Sequence, residues 1–306
     1  MKRLPFLLTF LLATAGAGTM AAAAELTGTL KKIKDTGVVK IGHRDASIPF
    51  SYLDDRQRPI GYGIDICMKV VDAVKRELKV KDLKVEFVPV TSQTRIPILG
   101  GGNIDLECGS TTNSIERQKQ VAFAYTYFFT GTKLLVKKAS GIKGYDDLKG
   151  KTVVVTQGTT NERALKAYND QKKLGISFIH AKDHAESFLA VETGRAVAFP
   201  MDDILLYGLR ANARNPAEFA VIGGFLSEDP YGIMLRKDDP AFKKVVDSTL
   251  AAIYKSGEIN KIYNRWFQSK IPPKGINLNL PMSDKLKDLV KNPSDQGVGP
   301  CGMMKC

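Results

Sequence analysis

The stretch Glu107-Cys108-Gly109-Ser110-Thr111-Thr112-Asn113-Ser114-Ile115-Glu116-Arg117-Gln118 holds the residue types needed to grip an anion. The apolar Ile104-Asp105-Leu106 leads into glycine and hydroxyls, and a helix is expected to start at Asn113 or Ser114 with Arg117 in its first turn. Hydroxyls and free N–H groups at a helix N-terminus favour negative charge, and a guanidinium can hold a carboxylate at two points. The plainer alternative is an ordinary N-cap with Arg117 on a solvated helix face. What favours the anion reading is repetition. Thr156-Gln157-Gly158-Thr159-Thr160-Asn161-Glu162-Arg163 follows the strand-like Thr152–Val155 and precedes a helical stretch over 161–172. Two such turns imply two α/β halves facing one cleft, which would hold a small anion from both sides.

Alternating periodicity supplies the elements that must carry these turns. Val38-Val39-Lys40-Ile41 reads as a strand. Ile64, Cys67, Met68, Val71, Val74 and Leu78 fall on one helical face, and Lys84 to Val90 returns to strand character. That order implies a parallel βαβ unit. A short helix at Pro97–Leu99 ends in Gly100-Gly101-Gly102, and 104–108 is the next strand. From Gly150 the pattern restarts, with strands at 152–156, 176–179 and 196–199 and helices at 161–172, 185–192 and 203–211. Crossovers are expected at Gly131–Lys138 and Tyr231–Arg236, with helices at 240–255 and 257–267 after the second. Two crossings place the final segment back on the first half.

The chain has 306 residues and a formal net charge of +13 at pH 7. Lys2 and Arg3, the apolar Leu4 to Leu12 and the small residues Met20 to Ala24 have the pattern of a cleaved export signal. Cleavage near Ala24 removes two cations and leaves a charge of +11. That excess steers acidic solutes or aids solubility. The lysines are scattered and not interleaved with aromatics, so no nucleic-acid partner is expected. Four cysteines in an exported chain permit three complete pairings. Cys67 reads as a core helix residue, Cys108 lies inside the anion motif, and Cys301 and Cys306 could close a small loop. With only His43, His180 and His184 as histidines, no metal or other cofactor is expected.

The series Gly42-His43-Arg44-x-x-x-x-Pro49-Phe50-Ser51, Gly61-Tyr62-x-x-Asp65, Gly109-Ser110-Thr111-Thr112-x-x-x-Glu116-Arg117, Gly158-Thr159-Thr160, Asp183-His184, Gly194 to Ala198, Met201-Asp202-Asp203 and Tyr231-Gly232 resembles the polar amino-acid-binding proteins of bacterial ABC importers, solute-binding protein family 3. Among them the likeness is strongest to glutamate/aspartate binders and extends to about Lys291. The resemblance implies an α/β, two-lobe periplasmic-binding-protein fold of type II, with a two-strand hinge and the ligand in the cleft between lobes. The expected divisions are a signal peptide at 1–24, the first lobe at 25–130, the second at 131–230, a return to the first at 231–291 and a tail at 292–306.

In this family the matching residues place Arg117, aided by Ser110, Thr112 and the Gly158–Thr160 turn, on the α-carboxylate, and Asp202 on the ammonium. Asp202 would stand at a strand's carboxyl end, where open α/β sheets bind ligands. Arg44 and Arg95, with Ser92 and His184 as supporting donors, would take a side-chain carboxylate. Arg44, Arg95 and Arg117 against Asp202 leave two excess positive charges, which suits a dicarboxylic amino acid. The resemblance implies a monomeric periplasmic protein that captures glutamate or aspartate for an ABC permease and performs no chemistry on it. Two rivals stand beside it: an exported enzyme resembling the cyclohexadienyl dehydratases, with Glu107 or His184 as general acid or base, and a receptor's sensor domain. A binder of another polar amino acid is a further alternative.

Overall fold

A computed structural model describes residues 26–299. The expected export signal and the Cys301–Cys306 loop lie outside the described residues. Helix α1 (Gly28–Thr36) leads into strand β1 (Val38–His43) and a small antiparallel sheet of β2 (Ala46–Ser47), β3 (Ser51–Leu53) and β4 (Pro59–Ile60). Then come α2 (Tyr62–Leu78), β5 (Lys84–Pro89), α3 (Arg95–Gly100), β6 (Leu106–Glu107), the single turn α4 (Ile115–Gln118) and β7 (Val121–Thr130). The second half runs β8 (Thr132–Lys137), β9 (Thr152–Thr156), α5 (Thr160–Lys172), β10 (Ser177–Ala181), α6 (His184–Glu192), β11 (Ala198–Asp202), α7 (Asp203–Asn212) and β12 (Phe219–Ile222). Strand β13 (Asp229–Arg236) and helices α8 (Pro240–Lys255), α9 (Glu258–Phe267) and α10 (Asp284–Lys291) complete the chain.

Two five-stranded sheets result, in the orders β5-β1-β6-β13-β7 and β10-β9-β11-β8-β12. The β1–β5 and β9–β10 pairs are parallel, as the strand-helix-strand alternation requires. The chain passes between sheets twice, at Gly131 and between β12 and β13, so β13 lies antiparallel to β7 in the first sheet. The two passages touch: a Cβ on Gly131 would stand 2.2 Å from the Ser227 carbonyl oxygen. Only glycine permits so close an approach of two backbones.

Helix α2 buries Ile66, Cys67, Val70, Val71 and Val74 against the first sheet's core. Each such side chain contributes about 1.5–3 kcal/mol through burial. Cys67 is disulfide-bonded to Cys108 across 6.3 Å between Cα atoms, which settles a pairing that spacing left open and ties α2 to the end of β6. Beside it, Phe50 makes edge contacts with Tyr62, Phe128, Tyr231 and Phe267 at centroid separations of 4.8–6.0 Å. This cluster fixes the base of β13.

Some elements lie outside the periodicity reading. The apolar, aromatic-rich β7 is buried over most of its length, so it lacks the alternation that marks a half-exposed strand. The helix expected at Asn113 or Ser114 is one turn, Ile115–Gln118, capped by the Ser114 hydroxyl. Strand β11 reaches Asp202 itself rather than ending at Phe199.

Candidate functional site

Between the two sheets lies a small hollow of about 10 Å³ lined by Ser92, Arg95, Ser110, Thr112, Thr159, Thr160, Asn161, His184, Met201, Asp202 and Leu205. Eight of the ten residues singled out in sequence are in that lining. Arg44 and Arg117 are not, although both are buried.

The first sheet and its loops carry the cations. Arg95, at the start of α3, donates from Nη1 to the Thr111 hydroxyl at 2.6 Å. Thr111 in turn donates to Glu107 Oε2 at 2.6 Å. Arg44, just beyond β1, has its Nη2 3.4 Å from His184 Nε2. A guanidinium can only donate, so this contact makes Nε2 an acceptor and leaves the His184 proton on Nδ1, which lies 3.1 Å from the Thr156 hydroxyl. His184 therefore steadies Arg44 through Nε2; the expectation made it a supporting donor to the ligand. Burial, with Arg44 and Arg95 nearby, holds its pKa well below the usual imidazole value, so it is neutral at pH 7.

Burial also lowers the pKa of all three arginines. Arg44 is pushed down to about 10 by burial and then by Arg95, with Glu107 opposing. Among the described residues, the buried side-chain polar atoms without a partner in the protein are Arg44 Nη1, Arg95 Nε, Ser92 Oγ and Glu107 Oε1. All four belong to one corner. Three belong to donor groups, and an orphaned buried donor costs about 1–3 kcal/mol, more when charged.

The other end is internally satisfied. Arg117 donates from Nη1 to the Thr112 carbonyl at 2.9 Å and from Nη2 to the Gly158 carbonyl at 3.1 Å, so it spans both sheets. The Asp202 carboxyl accepts from Tyr231 at 2.5 Å and from Asn161 at 2.8 Å. Burial first, and Asp229 second, push its pKa well above the ordinary carboxyl value. Asp229 accepts from Thr112 at 2.9 Å and from Thr160 at 2.8 Å. Thr159 serves the local fold, capping α5 by accepting from the Glu162 N–H at 3.0 Å and donating to the Thr156 carbonyl at 2.8 Å. Ser110 donates to Ser47 at 3.1 Å.

Glu107, Asp229, Tyr231 and Asn161 were not among the expected ligand-binding residues. Including Glu107 and Asp229 changes the charge count to three guanidiniums against three carboxyls. Because Asp202 is driven towards its neutral form, the interior retains a positive bias. The only sequence signal for Asp229 was its place two residues before the Tyr231-Gly232 motif.

The chain matches the bacterial extracellular solute-binding proteins, family 3, over residues 39–269. It is 56% identical to the L-glutamate/L-aspartate-binding protein of Pseudomonas aeruginosa, covering 97% of this chain and 98% of that one. It is 50% identical to the glutamate/aspartate import solute-binding protein of Escherichia coli, covering 90% and 92%. Among solved structures, an ancestral amino acid-binding protein described as a precursor of cyclohexadienyl dehydratase superposes with a TM-score of 0.66 at 32% identity, covering 78% of this chain and 99% of that one.

Proposed function

This chain belongs to family 3 of the bacterial extracellular solute-binding proteins, and on that premise we propose that it captures glutamate or aspartate outside the cytoplasm and delivers it to the membrane subunits of an ABC importer. The names of its relatives support both the acidic amino acid and the import system. They are binding proteins, and this chain is one rather than an enzyme. For the dehydratase alternative, the similar structure is itself an amino acid-binding protein, described as a precursor of that enzyme. Among the described residues no helix is long and apolar enough to cross a membrane.

The observation that carries the acidic ligand is the corner of Arg44, Ser92 and Arg95, where three donors lack a partner among the described residues. A side-chain carboxylate in the hollow can accept from Ser92 and Arg95, which line it, while Arg44 adds positive charge close by. An amide offers one oxygen and brings two donors of its own against two guanidiniums. At the other end, Arg117 holds the α-carboxylate with Thr112 and Thr160 near it, and Asp202 takes the ammonium in place of its proton. Closure of the lobes completes both ends, and the closed shape is what the permease recognises.

Calorimetry with the four acids and amides tests this. Glutamate and aspartate should bind at about micromolar Kd or tighter, and glutamine and asparagine about a hundredfold or more weakly, the penalty of a buried, poorly paired guanidinium. Glutamine binding as well as glutamate would overturn it.

A further inference from the structure

The segment after α10 lies beyond residues 39–269 that match the family model, and it seats against the turn that carries Arg117. The Ser294 carbonyl accepts from the Thr126 N–H at 2.9 Å. The Asp295 carbonyl accepts from Asn113 Nδ2 at 2.8 Å and Gln118 Nε2 at 3.0 Å, so one oxygen ties both flanks of the turn. Val298 then pairs as a short parallel bridge with Ser114: Ile115 N–H donates to the Val298 carbonyl at 2.9 Å, and Val298 N–H donates to the Asn113 carbonyl at 3.0 Å. The Asp295 carboxylate meets Lys243 at 2.8 Å, anchoring the segment to α8. Gly297 sits so close that a Cβ there would lie 3.0 Å from both Gln118 Nε2 and Ile115 N. Val298 and Gly299 border a second small hollow with Thr160, Arg163 and Asp229.

A four-residue helical turn has little stability of its own, because helix nucleation is unfavourable and the backbone bonds that close it are few: Gln118 to Ser114, Lys119 to Glu116 and Gln120 to Arg117. Arg117 lies inside that turn, and its two side-chain bonds reach from it to both sheets. We propose that residues 294–299 form a strap that positions Arg117 by holding the Asn113–Gln118 turn, and that the strap sets how long a bound amino acid is retained. This rests on the reading that Arg117 grips the α-carboxylate. Because every amino acid has that group, the strap acts on affinity without acting on the choice between acid and amide.

The test compares the full chain with one ending at Asn292 and with Gln118→Ala, using glutamate and glutamine as probes, stopped-flow dissociation rates, and amide exchange at Ile115. Loss of the strap should speed glutamate dissociation about tenfold or more, as expected when several hydrogen bonds fixing the turn are removed. The Kd values for glutamate and glutamine should rise by the same factor, with their ratio unchanged and Ile115 exchange accelerated. Gln118→Ala, which removes one of the two donors to Asp295, should produce the same pattern at about threefold, and a synthetic peptide of residues 292–306 should restore the shortened chain. A purely structural tail would lower Tm and leave the dissociation rate and Kd unmoved in both variants, and that result overturns the strap. A change in the glutamate-to-glutamine ratio would overturn its assignment to the Arg117 end. If the full chain itself binds no amino acid, it is the underlying reading that falls, and the strap's role in retention falls with it.

Discussion

At the Arg95 end of the hollow, donors from Arg44, Ser92 and Arg95 lack partners among the described residues, whereas at the Asp202 end the polar groups are bound to one another. Asp202 is held by Tyr231 and Asn161, and Asp229 by Thr112 and Thr160. The first end is donor-rich, so an incoming anion completes it. The second contains both acids and donors and can close on itself, so a ligand must replace bonds that already exist. Substitutions at the first end should therefore change which amino acid binds, and substitutions at the second should change whether any binds.

The largest effect is expected from Arg117→Ala, which should weaken glutamate and glutamine alike by roughly a hundred- to a thousandfold in calorimetry. Unequal losses would place Arg117 at the wrong end. Asp202→Asn comes next: removing the ammonium's partner should cost both ligands about a hundredfold. Arg44→Ala should be smaller and selective, with glutamate weakened about thirtyfold and glutamine by about threefold or less. A uniform loss there would erase the distinction between the ends.

Asp202 also sharpens the comparison through pH. Burial and Asp229 raise its pKa in the folded protein, from an ordinary value near about 4. In the ligand-free protein its contribution to stability is full below that ordinary value and is lost as pH rises through the folded one. Ammonium binding needs the carboxylate, so affinity should rise with pH over the same window, with proton release below its upper edge. Paired Tm and Kd series between pH 4 and 8 would check both slopes, and Asp202→Asn should flatten them. The smallest effect on binding is expected from replacing Cys67 and Cys108 by alanine. Opening a disulfide with a sequence separation of 41 should lower unfolding stability by about 2–4 kcal/mol while the glutamate-to-glutamine ratio measured at 25 °C stays unchanged.

Much of the fold was legible because its strands and helices announce themselves by period. The apolar face of α2 and the valine run of β9, Thr152–Thr156, are local patterns. Strand β7 was not legible, since burial on both sides removes the alternation. The tail was missed for another reason: its contacts to Asn113 and Gln118 use a backbone carbonyl, which no side-chain motif encodes. Glu107 was noticed as an acid but not as Arg95's partner through Thr111, because that link depends on the fold of the loop between them.

By itself, the amino-acid order determined the local chemistry: hydroxyl-rich turns before Arg117 and Arg163, cations near β1 and α3, and an aspartate where β11 ends. Those traits depend on residue type and near-neighbour geometry, which short stretches of chain contain. Only the tertiary structure decided that Asp229 would join Thr112 to Thr160, that Tyr231 would reach Asp202, and that residues 294–299 would lie along the Arg117 turn. Those contacts join positions tens to nearly two hundred residues apart, and they exist because two sheets and their crossing strands pack to bury a common core.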